Sequence, residues 1–153
     1  MNIVETNLKF KNGLTKREKT DYLVVHHVGT MPKGKVDAIV IDGWHKNQGW
    51  SGIGYNFVIL EDGTIQRGRP EWAVGAHVIN YNSRSIGINV VGDFEKTEPT
   101  AAQKKSLIEL LKYLKEKYPQ AQIKGHCDLG GSACPGKNLY KRLGQIKFYV
   151  NQK

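Results

Sequence analysis

The chain has 153 residues and carries 23 Lys and Arg against 14 Asp and Glu, a formal charge of +9 at neutral pH. That length suits one domain whose core needs no disulfide staples, and only two cysteines exclude a disulfide framework. The positive field favours polyanions such as nucleic acid, anionic lipid or a teichoic-acid-bearing bacterial wall. The basic residues are scattered, with no Arg-rich block and no aromatic–basic interleaving, so they single out no specific nucleic acid.

Met1–Glu5 has no basic stretch leading into an apolar run, so no signal peptide is expected and synthesis in the cytosol is. No stretch approaches ~18 consecutive apolar residues, which argues against a membrane span. Residues 1–20 are polar and lysine-rich and read as an arm or a short lead-in strand. Tyr22–His27 is a β-rich run suited to a central strand. Pro32–Lys35 marks a loop, and Val36–Asn47 carries apolar residues at helical spacing. Gly52–Leu60 is expected as a strand, turning through Glu61-Asp62-Gly63-Thr64 into Ile65–Arg67. Ile86–Val91 is a buried strand. Thr100 starts a helix with a Leu107, Leu110, Leu111, Leu114 stripe, which Tyr118-Pro119 ends. Gln122–Gly125 is a short strand delivering His126, and Asn138–Val150 is a last helix. Strands interspersed with helices predict an α/β or α+β sheet sandwiched by helices, with no repeat and no linker.

The segment Gly125-His126-Cys127-Asp128-Leu129-Gly130-Gly131-Ser132-Ala133-Cys134-Pro135-Gly136 places an imidazole and a thiol eight residues apart among glycines and a proline. Such a pair could hold a zinc ion, and His26, at the end of an apolar strand, offers a third ligand. Two His and one Cys leave a fourth position open for water, the arrangement of a catalytic site. A Cys127–Cys134 bridge is the competing reading. Zinc so held suits amide or ester hydrolysis, which also needs an oxyanion donor. Tyr55 is a candidate donor, against a plain core tyrosine. Ser132 could orient water or substrate, against an ordinary loop serine.

The ordered set Val25-His26, Trp44-His45, Gly49-Trp50, Ile53-Gly54-Tyr55-Asn56-Phe57, Asp62-Gly63, Val74-Gly75-Ala76-His77, Asn82-Ser83-Arg84-Ser85-Ile86-Gly87-Ile88, Gly125-His126 and Cys134-Pro135-Gly136 resembles the zinc-dependent N-acetylmuramoyl-L-alanine amidases of the peptidoglycan-recognition-protein type, including phage amidases historically called lysozymes. The resemblance spans roughly residues 20–145. It implies a mixed, mostly parallel sheet with helices on both faces; with no linker in the chain, 1–153 is expected as a single domain, 1–20 an N-terminal arm and 21–150 the catalytic core. It also implies cleavage between the lactyl group of N-acetylmuramic acid and L-alanine in bacterial peptidoglycan, by a phage endolysin or autolysin. His26, His126 and Cys134 fall on the zinc ligands, Tyr55 on the catalytic tyrosine, and Ser132 where relatives carry threonine or lysine. Asn89 stands where some relatives carry a glutamate base.

Further expectations concern the surroundings of this site. His45, Trp50 and His77 are expected to line the substrate groove, and Asn82 and Arg84 to contact the peptide stem, with turn capping the rival for Asn82. Arg69 could meet a stem carboxylate or form a structural ion pair. His27 should alternate away from His26 into packing, Cys127 should be a small core residue, and Asp128 could orient a ligand histidine or be solvated. The expected molecule is a monomer that reaches the wall through a holin or at lysis. A peptidoglycan-binding module without catalysis, and an amidase that also regulates an RNA polymerase, are the alternative functions.

Overall fold

The computed structural model describes residues 1–152. Its strands are β1 (Ile3–Val4), β2 (Tyr22–His27), β3 (Phe57–Ile59), β4 (Ile65–Arg67), β5 (Ser85–Val90) and β6 (Gln122–Gly125). The helices are α1 (Ala38–Asn47), α2 (Ala101–Lys117), α3 (Lys137–Tyr140) and α4 (Leu143–Val150). The six strands form one sheet in the order β1-β4-β3-β5-β2-β6, parallel except for the β3–β4 hairpin.

Alternation along the central strands sorts side chains onto two faces. Leu23, Val25, Ile86, Ile88 and Val90 join Leu107, Leu110, Leu111 and Leu114 of α2 and Ile146 of α4 in the larger core. Each of those α2 leucines is at most 1% exposed, worth roughly 1.5–3 kcal/mol apiece in burial. Helix α2 starts at a reciprocal cap: the Thr100 hydroxyl accepts from Gln103 N–H, and Gln103 Oε1 accepts from Thr100 N–H. On the other face α1 packs Ala38 and Ile41 against Val58, Leu60 and Val91. Asp37 caps α1 through Val40 N–H, so the helix begins two residues after the predicted Val36.

Three expectations need correction. Residues 1–20 are not a free arm; of the two readings offered, the short lead-in strand is the one formed. Ile3–Val4 pair with β4, and Arg17 is buried, donating to Thr20 and to the carbonyls of Glu71 and Ala73. Only Phe57–Ile59 of the predicted Gly52–Leu60 strand is a ladder, because Gly54 carbonyl turns to Ala76 N–H and Tyr55 carbonyl to Arg69 N–H. The last helix is broken between Tyr140 and Leu143, where Arg142 N–H closes a tight turn on Leu139 carbonyl.

Candidate active site

His26 and Asn89 are register partners on β2 and β5, near the carboxyl ends of those strands and on the face opposite the large core. His126 follows β6 directly, and the loop after it carries Cys134 back to the sheet. That loop is tied internally. Cys127 N–H donates to Cys134 carbonyl, Cys134 N–H to the Ser132 hydroxyl oxygen, and Gly136 N–H to Ala133 carbonyl. Both cysteines are free thiols, so the Cys127–Cys134 bridge is not formed.

The ligand atoms of His26, His126 and Cys134 all lie within 4.8 Å of one another. His26 Nδ1 is 3.6 Å from Cys134 Sγ. Zinc–nitrogen and zinc–sulfur bonds of ordinary length at a tetrahedral angle would separate such atoms by ~3.6 Å. The donor set therefore fits a single zinc ion. Burial, and then the neighbouring His77, His126 and His27, hold the His26 imidazole well below its ordinary pKa, and burial lowers His126 too. Both rings are neutral at neutral pH, the state that binds metal. Burial pushes the Cys134 thiol up to about 12, opposed by the His27 N–H that points at its sulfur at 3.3 Å. A cation is what such a thiol needs to ionise.

His26 is aimed from behind. Its Nε2 lies 2.8 Å from His77 Nδ1, His77 Nε2 lies 3.2 Å from Ser85 Oγ, and Ser85 donates to Tyr81 carbonyl at 2.7 Å. A carbonyl cannot donate, so the Ser85 proton is spent on Tyr81 and Ser85 accepts the Nε2–H of His77. His77 Nδ1 then accepts the Nε2–H of His26, which leaves the lone pair of His26 Nδ1 facing Cys134. Burial, then His126, Arg69 and Arg17, lower the His77 pKa to about 3 and keep it neutral. Glycines make room for this ring: a Cβ on Gly87 or on Gly75 would sit 2.7 Å from it.

Tyr55 packs its ring 5.0 Å from that of His26. Burial, then the nearby Cys134, push its phenol up to about 12, so it is a hydrogen-bond donor across the physiological range. His45 is buried rather than on the surface, its Nδ1 accepting from Gly54 N–H at 2.8 Å. Trp50, 37% exposed, lies 4.5 Å over the His45 ring at the rim of the site.

Other expectations are redirected. His77 has both ring nitrogens engaged, with His26 and Ser85, so neither is left to bind a substrate. Asn82 Oδ1 accepts from the N–H groups of His77 and Val78, the turn-capping role. Arg84 meets Tyr22 and Asp21 at the amino end of the sheet. It lies five residues, or about 16 Å along extended chain, from Asn89. Among the described residues Arg69 forms no ion pair; its guanidinium donates to the carbonyls of Ile53 and Val74. His27 packs on Phe94 as expected and accepts from its N–H. Cys127 is half-buried in a turn instead of in the core. Asp128 binds Gly125 N–H and the Tyr140 hydroxyl, fixing the loop rather than a histidine. Ser85 and Asn56 were missed. Ser85, Gly87 and Asn89, alternating with Ile86, Ile88 and Val90, are the signal that this strand keeps one polar face. Asn56 is completely buried, donating to Pro70 and Ala73 carbonyls and accepting from Gly87 N–H, and so locks the Tyr55 segment to β5.

The fold and site together define an α/β domain with a metal-ready His–His–Cys cluster at the carboxyl end of a mostly parallel sheet. The chain belongs to the N-acetylmuramoyl-L-alanine amidase family, whose model matches residues 16–137. It is similar to the endolysin of Escherichia phage T7, 41% identical over 129 residues that cover 81% of this chain and 85% of that one. The endolysin of Klebsiella phage KP32 is 42% identical, over 82% of this chain and 86% of its own. The solved structure of the N-acetylmuramoyl-L-alanine amidase LysC from Clostridium intestinale superposes with a TM-score of 0.92 at 40% identity, covering 100% of this chain and 99% of that one.

Proposed function

We propose that this chain is a zinc-dependent endolysin that hydrolyses the amide between the lactyl group of N-acetylmuramic acid and L-alanine in bacterial peptidoglycan. The convergence of His26, His126 and Cys134 carries the reading. These three side chains would hold the ion, which when bound polarises the oxygen it touches and brings the pKa of water towards neutrality. His77 and Ser85 keep His26 in the tautomer that presents Nδ1. Tyr55 donates its hydroxyl hydrogen bond to the oxyanion that grows on the scissile carbonyl. Ser132 holds the Cys134 loop by accepting from Cys134 N–H, and its own proton is left to orient substrate.

His45 and Trp50 form the near wall of the substrate groove, Trp50 offering an aromatic face to sugar or peptide. Residues 1–153 act as one catalytic domain. Every residue of the site comes from one chain, which suits a monomer. No helix among the described residues is long and apolar enough to cross a membrane. On this reading the enzyme meets the wall through a membrane lesion or at lysis.

Purified walls test the reading. Incubation should release the amino termini of alanine, chelation should stop the release, and added zinc should restore it. Tight binding to walls without release in the presence of zinc would instead make the chain a recognition module.

A further inference from the structure

Asn89 is 1% exposed, and among the described residues neither its Oδ1 nor its Nδ2 makes a hydrogen bond of ordinary geometry, although its amide comes close enough to the Tyr55 hydroxyl to lower that phenol's pKa. Leaving such a group unmatched costs about 1–3 kcal/mol, so a buried amide of this kind marks a place where a polar ligand enters. Asn89 is the register partner of His26 and sits on the same face of the sheet. It also lines a cavity of about 190 Å³ with Val28, Trp44, His45, Gln48 and Tyr55.

The polar groups around this cavity differ in what they can still offer. Tyr55 presents a donor. His45 has spent the lone pair of Nδ1 on Gly54 N–H, so its Nε2 carries the proton and is also a donor. Gln48 is exposed at the mouth. No carboxylate among the described residues lines the cavity. Donors suit the developing oxyanion, but an attacking water must itself be held by an acceptor, and Asn89 Oδ1 is the unspent buried one.

We infer that Asn89 is a further catalytic residue, whose Oδ1 accepts a hydrogen bond from the attacking water and orients it towards the scissile carbonyl carbon. The inference rests on the amidase reading above. In the reaction the water oxygen bonds to the lactyl carbonyl carbon and ends in a carboxylate, the carbon–nitrogen bond breaks, and both water protons finish on the departing alanine nitrogen as an ammonium. A neutral amide takes no proton in this sequence. It contributes orientation, which in well-aligned sites is worth on the order of 10²-fold.

The test compares kcat, KM and bound zinc for wild type, Asn89→Leu and Asn89→Asp on solubilised wall fragments across pH. Asn89→Leu, close in shape, should lower kcat by roughly 10–100-fold while KM and zinc content stay at wild-type values. In Asn89→Asp the protonated carboxyl keeps a carbonyl acceptor but can also donate, whereas the ionised carboxylate only accepts and does so more strongly, so kcat should rise with pH through the titration of the new carboxyl. A wild-type kcat in Asn89→Leu, or a loss confined to KM, would overturn the inference. So would an Asn89→Asp rate that falls as pH rises, the mark of a donor role. Should Asn89→Leu not fold, the direction of the Asn89→Asp profile decides alone. Failure of the amidase reading would appear separately, as absence of turnover in wild type.

Discussion

The Nε2 of His26 lies 2.8 Å from Nδ1 of His77, and this bond decides which nitrogen of His26 faces Cys134. Replacing His77 by Leu, or Ser85 by Ala, breaks the chain that ends on Tyr81 carbonyl. Partners of this kind are worth ~10–100-fold in metal affinity. Competition titration with a chromophoric chelator should show zinc binding weakened by that factor in His77→Leu. Unchanged affinity would remove His77 and Ser85 from any role at the cluster.

Gly87 is the space into which the His77 ring fits, and a Cβ there would come within 2.7 Å of the ring. Gly87→Ala should therefore cost about 1–3 kcal/mol in urea unfolding, as overpacked cores do, and should weaken zinc binding with it. Full stability together with full zinc affinity would show that the ring has room to move.

How much of this was open to a reader of the sequence depends on the range of the interactions. Tyr22–His27 and Gln122–Gly125 match their predicted bounds because their composition and flanking turns are local signals. Thr100 is legible as a cap for the same reason. His26, His126, Tyr55 and Cys134 could be named from their motifs. The service of His77 to His26 could not, since it spans 51 residues of chain. Likewise Arg17 looks like one more surface cation until its carbonyl partners arrive from residues 54 and 56 positions away.

Tyr55→Phe removes the hydroxyl and keeps the ring packed beside His26. Loss of one oxyanion donor costs ~10²–10³-fold in kcat. Steady-state assays should show that loss with KM and thermal stability preserved. A kcat within a factor of about two of wild type would fall far short of an oxyanion donor's share and leave Tyr55 with packing alone.

Acid should destabilise the metal-free protein through its buried histidines. Burial, followed by nearby Arg69, lowers His45 to about 4 despite Asp42, while in the unfolded chain it titrates near 6.5. Between those values the unfolded state binds the extra proton, so stability rises with pH there. The His45 contribution is fully present above about pH 6.5. It is lost progressively as pH falls and levels off once the folded-state value near 4 is passed. Thermal unfolding should show Tm falling over this window, and His45→Asn should flatten the slope. An identical slope in the variant would mean that His45 does not contribute.

The central claim is that His26, His126 and Cys134 hold one metal ion with the thiolate bound directly. Cobalt titration of the metal-free protein reads this without recourse to activity. The wild type should bind one equivalent and develop a thiolate-to-cobalt charge-transfer band, and Cys134→Ser, still folded, should lack that band. A band of equal intensity in Cys134→Ser, or no stoichiometric binding by wild type, would contradict the account.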